Sequence, residues 1–273
     1  MAIFVSMPFE KRVLGKTGIS VGPIGLGSSF GVRGRDVEEA FERGCNYLYW
    51  GSWRRGGFGD GLRAIAKRNR EKLVLVVQSY SRVGMLVGPS VNWALHRLGF
   101  EYADVLLLGM WNKEPPARII DAALGAKERG VVRHLAISTH HRPLAPILGK
   151  TFDIIHVRYN AAHRGAEKDI FPHIALPAAT QDRPGVVSFT ATRWGGLMKA
   201  KGLPPDERRP TAADCYRFVL SNPHVDLTLA GPRNGADLKG LFEAIDKGPM
   251  SADELDWMRH VGDHVHKTAM FRG

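Results

Sequence analysis

Cysteine is nearly absent from this chain: two in 273 residues, Cys45 and Cys215, neither in a CxxC pair. Such usage excludes a disulfide framework and a thiolate metal site, and it fits a reducing cytoplasm. Long apolar runs are missing as well. Nowhere do 18 apolar residues stand together, and the opening MAIFVSMPFEKR lacks the basic start, long apolar stretch and small-residue cleavage site of an export signal. Neither membrane spanning nor export is expected. Acidic residues are outnumbered, 27 Asp and Glu against 38 Lys and Arg, for a net charge of +11. That balance suits polyanions, anionic ligands or plain solubility. With no dense Lys/Arg run interleaved with stacking aromatics and no recognisable nucleic-acid module, nucleic acid is not expected as a partner. A GxGxxG turn is also lacking: GLGSSFG has the wrong spacing and opens no strong helix, which argues against an open doubly wound sheet.

What is present is an alternation of short apolar runs with segments of helical period. The runs predict eight strands, at 24–27, 47–50, 73–78, 105–108, 134–138, 154–159, 186–190 and 227–230. Helices are expected over 36–43, 62–68, 90–98, 117–129, 144–148 and 212–221, with Ser90 capping one and Gly130 ending another. KLVLVVQ and ADVLLLG are continuously apolar rather than alternating, which implies strands buried on both faces and hence a parallel sheet wrapped by helices. Repeated βα units in a chain of this length close as a (β/α)8 TIM barrel, in one domain. RVLGKTGISVGPIG reads as a hairpin ahead of the first barrel strand, and the last stretch as a terminal helix capped by Ser251.

The motifs RVLGKTGISVGPIGLGSS, GCNYLYWGS, EYADVLLL, VVRHLAIS, HVRYNAAHR, GVVSFTATRWGGL and LAGPRNGADLKGLFEAI, in this order across nearly the whole chain, resemble the aldo-keto reductase superfamily. That resemblance implies a (β/α)8 barrel binding NADP or NAD over the C-terminal ends of its strands. It also implies a tetrad in which Tyr donates a proton, Lys and Asp depress its pKa, and His orients the carbonyl. Position by position, all four are replaced. The Asp place holds Tyr49, the Tyr place Arg54, the Lys place Gln78 and the His place Gly109. Gln carries no charge to lower a phenol pKa and Gly has no side chain, so the proton relay cannot be assembled. No Lys occurs between Lys72 and Lys113 and no Asp between Asp36 and Asp60, so a shifted alignment does not restore it.

The cofactor positions implied by the resemblance are Ser138, His156, Phe189 and Thr190. Gly231 to Gly235, with Arg233 and Asn234, offers an anion site at a helix start. Asp237, at a phosphate-binding place, has the wrong sign. Around the strand ends, Tyr49, Trp50, Trp53, Gln78, Trp111, Arg158, Asn160 and Arg193 suit a planar or anionic small molecule. Four His, at 140, 141, 156 and 163, titrate naturally near neutrality and are the acid–base candidates, with Tyr49 or Tyr80 as a substitute proton donor; the catalytic set expected is Tyr49, Arg54, His140 and His163. A helix-leading loop at RYNAAHRGAEKD is expected to be stapled by Arg158 and Glu167. No metal site is expected, since adjacent His side chains diverge. The leading reading is an aldo-keto reductase-like oxidoreductase with an altered mechanism, linked to NAD(P)H or to no cofactor. The alternatives are a cofactor-independent lyase or isomerase on an anionic or aromatic substrate, and a ligand-binding pseudo-enzyme.

Overall fold

A computed structural model describes residues 9–51, 56–179, 182–201 and 203–270. Its strands are β1 (Arg12–Val13), β2 (Ser20–Val21), β3 (Ile24–Gly27), β4 (Tyr47–Trp50), β5 (Val74–Ser79), β6 (Ala103–Leu108), β7 (Val132–Thr139), β8 (Ile154–Arg158), β9 (Gly185–Phe189) and β10 (Leu227–Ala230). Its helices are α1 (Gly34–Glu42), α2 (Phe58–Asn69), α3 (Val87–Leu98), α4 (Ala117–Glu128), α5 (Ala145–Thr151), α6 (Ala166–Asp169), α7 (Gly196–Lys199), α8 (Ala212–Leu220), α9 (Gly235–Lys247) and α10 (Ala252–Met270).

Strands β3 to β10 pair in parallel and close into a barrel, β10 returning to β3. Every residue of β5 and β6 is buried, as their unbroken apolar runs predict. The eight expected strands all form. Side chains alternate: Tyr47, Val74, Val76, Val105, Leu107, Ile154 and Val187 fill the barrel, while Leu48, Leu75, Val77, Leu106 and Ile155 face the helices. The β1–β2 hairpin is antiparallel and its Leu14 packs with the interior cluster, closing the bottom. There Arg183 and Asp226, both almost wholly buried, form an ion pair, and Asp226 also accepts from the Val186 amide at 2.8 Å. Among the described residues no helix is long and apolar enough to cross a membrane.

Local signals hold with one exception. Gly130 follows α4 with φ +73°. Ser251 caps α10 in a reciprocal box, accepting from the Glu254 amide at 3.2 Å and donating its own amide to the Glu254 carboxylate at 2.9 Å. Ser251→Ala is expected to cost about 1 kcal/mol in urea denaturation. Ser90 is not a cap. Pro89 is tolerated in a first helical turn, so α3 begins at Val87, and the Ser90 hydroxyl turns back onto the Val87 carbonyl at 2.7 Å.

Candidate functional site

Strand alternation decides which residues reach the C-terminal mouth. Tyr49, Gln78, Ser138, Arg158 and Phe189 are inward positions at the upper ends of β4, β5, β7, β8 and β9, and Gly109 follows β6. Five residues that the sequence distributes over more than a hundred positions thus form one ring.

On its first side the ring holds Tyr49, Gln78 and Gly109. The Tyr49 hydroxyl donates to the Gln78 amide oxygen. A Cβ at Gly109 would lie 2.0 Å from Gln78 Nε2 and 2.5 Å from the Tyr80 ring, so the missing side chain is what admits both. Beyond it, the Arg82 guanidinium donates to the Gly109 and Met110 carbonyls at 3.1 and 2.7 Å and lies 4.0 Å over the Trp111 ring. Met110 holds φ +56°, and its amide donates to the Ser138 hydroxyl at 2.8 Å.

On the other side the ring is cationic. His140 sits edge-on to Phe189 at 5.5 Å, its amide held by Asn112 at 2.9 Å. Burial and then Arg158 pull the His140 pKa down. His163 has Nδ1 2.8 Å from the Ala162 carbonyl, which can only accept, so Nδ1 carries the proton and Nε2 is the free lone pair. Its pKa is lowered chiefly by burial, and further by Arg158, Arg193 and His266, against the opposing pull of that carbonyl. Both imidazoles are therefore biased toward the neutral, base-competent form.

Several candidates lie elsewhere. Trp50 faces outward and packs on Phe58 at 6.5 Å, because the residue after an inward Tyr49 must point away. Trp111 is likewise in the outer core. Asn160 is fully buried; it clamps the Thr190 carbonyl at 2.9 Å and the Ala162 amide at 3.0 Å, a positioning role instead of a ligand contact. His156 lies inside the barrel, 2.9 Å from the Tyr47 hydroxyl, with its pKa driven by burial to about 3, so it does not titrate near neutrality. Glu167 pairs with Arg259 at 2.9 Å and accepts from the Tyr159 hydroxyl at 2.6 Å, not with Arg158. Trp53 and Arg54 lie outside the described residues.

Thr190 sits at φ +62° with its hydroxyl donating to the Phe189 carbonyl at 2.6 Å. Arg233 is engaged by Asp237 through Nε and Nη2 at 2.9 and 3.0 Å, and the Arg233 amide donates to the same carboxylate at 2.8 Å. Asn234 caps the Asp237 amide at 3.1 Å. The Phe30 ring covers Gly231, 2.1 Å from where a Cβ would be. An internal carboxylate and an aromatic ring therefore occupy the anion cradle, and these residues do not fit a cofactor phosphate there. Among the described residues no group of three or more His, Cys, Asp or Glu could hold a metal ion.

A cavity of about 660 Å³ between α5 and α6, lined by Pro143, Pro146, Ile147, Lys150, Lys168, Asp169 and His173, lies outside the ring and contains none of its residues.

No family model matches the sequence, and no curated protein matches it. Solved structures do match. The apo form of aldo-keto reductase AKR11C1 from Bacillus halodurans has TM-score 0.74 and 21% identity over 93% of this chain and 96% of that one. The chain has the aldo-keto reductase fold. The holo form of the same protein gives TM-score 0.75 at 21% identity over the same shares. The structure of PA4992, "the putative aldo-keto reductase" from Pseudomonas aeruginosa, gives 0.68 at 18% identity over 89% of this chain and 97% of that one.

Proposed function

We propose that this chain is an aldo-keto reductase-like barrel, one domain in a reducing cytoplasm, that acts on a small molecule at its C-terminal mouth through His163 and His140 instead of the family's tetrad. The observation that carries this reading is the ring itself: Tyr49 donates to a neutral amide at Gln78, and Gly109 leaves no imidazole beside it. Neither a neutral amide nor a glycine supplies the positive charge with which the family's Lys draws a phenol's proton toward release. The neutral His163, with Nδ1 tied to a carbonyl and Nε2 free, supplies a base, and Tyr49 remains as a proton donor. Proton abstraction and return of this kind is the chemistry of an isomerase or lyase. The buried free thiols of Cys45 and Cys215 agree with the compartment.

A second reading is an NAD(P)H-linked oxidoreductase. It is favoured by the half-buried Phe189 ring at the end of β9 and by the likeness in fold to a holo aldo-keto reductase. Titration with NADPH and NADH followed by protein fluorescence separates the two. The first reading expects no saturable change up to about 1 mM, an affinity weaker than about 4 kcal/mol; saturation at micromolar cofactor would overturn it in favour of the second.

A further inference from the structure

We propose that Arg158 and Arg193 form a subsite for the oxyanion, carboxylate or phosphoryl, of a small ring-bearing ligand. The inference rests on the reading that the mouth holds a small molecule, and it names that molecule's chemical class.

The two arginines converge from neighbouring elements. Arg158 ends β8 as the Cα partner of Phe189 on β9, and Arg193 follows β9 by four residues. Each is only half-exposed, and neither guanidinium makes an ion pair or a hydrogen bond among the described residues. That is unusual in this molecule. Arg142, the third guanidinium facing them, is matched by Asp169 at 2.7 Å, and Arg164 next door by Asp263 at 2.6 Å. The other groups close to the pair are His140 and His163, with His266 edge-on to His163 at 5.6 Å, none of them acidic. Burial first, and then Arg142 and Arg193, pull the Arg158 pKa down, the mark of a cation held among cations. Half-buried like charges of this sort destabilise the empty protein, and a ligand oxyanion bound by the two forks would offset that cost.

The backbone is bent to make the arrangement. Thr190, Arg193 and Trp194 all hold positive φ, +62°, +51° and +52°, without glycine's freedom. The buried Asn160 amide fixes this segment by binding the Thr190 carbonyl. Strain of this kind persists where surrounding structure enforces it, commonly at ligand clamps. Beside the cations, Phe189 offers a half-buried ring edge-on to His140. Cationic forks next to flat apolar faces match an oxyanion carried on a planar ring.

Calorimetric titration of the full chain at low salt tests this with phenyl phosphate, benzoate, inorganic phosphate and benzyl alcohol. Phenyl phosphate or benzoate is expected to bind more tightly than inorganic phosphate, which lacks the ring, and benzyl alcohol not at all. Arg158→Gln and Arg193→Gln are each expected to weaken binding about tenfold or more, while Arg158→Lys, keeping charge without the fork, falls between. The Tm of ligand-free Arg158→Gln should be equal to or above that of the parent, since removing a crowded charge relieves repulsion. A lowered Tm with no anion binding at millimolar concentration overturns the proposal in favour of a packing role for Arg158. Binding unchanged in both Gln variants but lost in Phe189→Ala overturns the anion assignment while leaving the mouth as the ligand site. Binding that survives all three variants overturns both.

Discussion

His156→Gln is expected to make the loss of stability on acidification markedly shallower. In the folded protein the imidazole is buried inside the barrel against the Tyr47 hydroxyl, and burial lowers its pKa from 6.5 to about 3. The unfolded chain therefore binds one more proton than the folded one throughout that interval. Stability is fully present above pH 6.5 and falls as pH drops toward 3, by about 1.4 kcal/mol per pH unit from this group alone. Between pH 6.5 and 4.5 the loss amounts to about 2 kcal/mol, a large share of a typical domain's 5–15 kcal/mol. Gln cannot titrate, yet it can still bond Tyr47. Other imidazoles with lowered pKa, His134, His140, His163 and His224, act in the same direction but are more exposed and remain in the variant. Urea denaturation at pH 6.5, 5.5 and 4.5 should thus show a shallower decline for His156→Gln than for the parent. Parallel declines would mean that His156 is hydrated or already protonated in the folded state.

This case also shows what sequence can and cannot carry. The barrel is legible because parallel strands bury both faces, and KLVLVVQ or ADVLLLG has no other comfortable environment. Neighbours at a strand end are harder. Tyr49 and Trp50 look equally suited to a ligand, and only the period-two alternation from the inward Tyr47 sends Tyr49 to the mouth and Trp50 into the helical layer. The same counting separates His156, in the middle of β8 and sealed within, from Arg158 at its end. The pairing of Arg233 with Asp237 had an available signal, opposite charges four residues apart at a helix start. Arg183 and Asp226 gave none, since their 43-residue separation is bridged by barrel closure. Nor does composition disclose that Arg158 and Arg193 go unmatched; an excess of +11 says nothing about which cations lack partners.

Returning a single residue of the ring to the family's pattern is expected to fail. Gly109→His would restore an imidazole at the tetrad's His place, but its Cβ would stand 2.0 Å from Gln78 Nε2 and 2.5 and 2.8 Å from two atoms of the Tyr80 ring. Gln78 cannot simply swing away, because its amide oxygen holds the Tyr49 hydroxyl and Tyr49 packs against the Gly51 backbone. Overpacking of this kind costs about 1–3 kcal/mol, with the upper end expected here because several rings must move together. Gly109→Ala should show much of the same loss, since the clash begins at Cβ. Gln78→Ala deletes the atom nearest the intruding carbon, so it should recover part of that loss when combined with Gly109→Ala. A double-mutant cycle by urea denaturation should return a coupling of about 1 kcal/mol or more. Additive effects would show that the two positions do not contest one space. Neither Gly109→His nor Gln78→Lys alone is expected to confer carbonyl reduction, because the proton relay requires four groups acting as a unit and each ring residue is packed against the replacement of another.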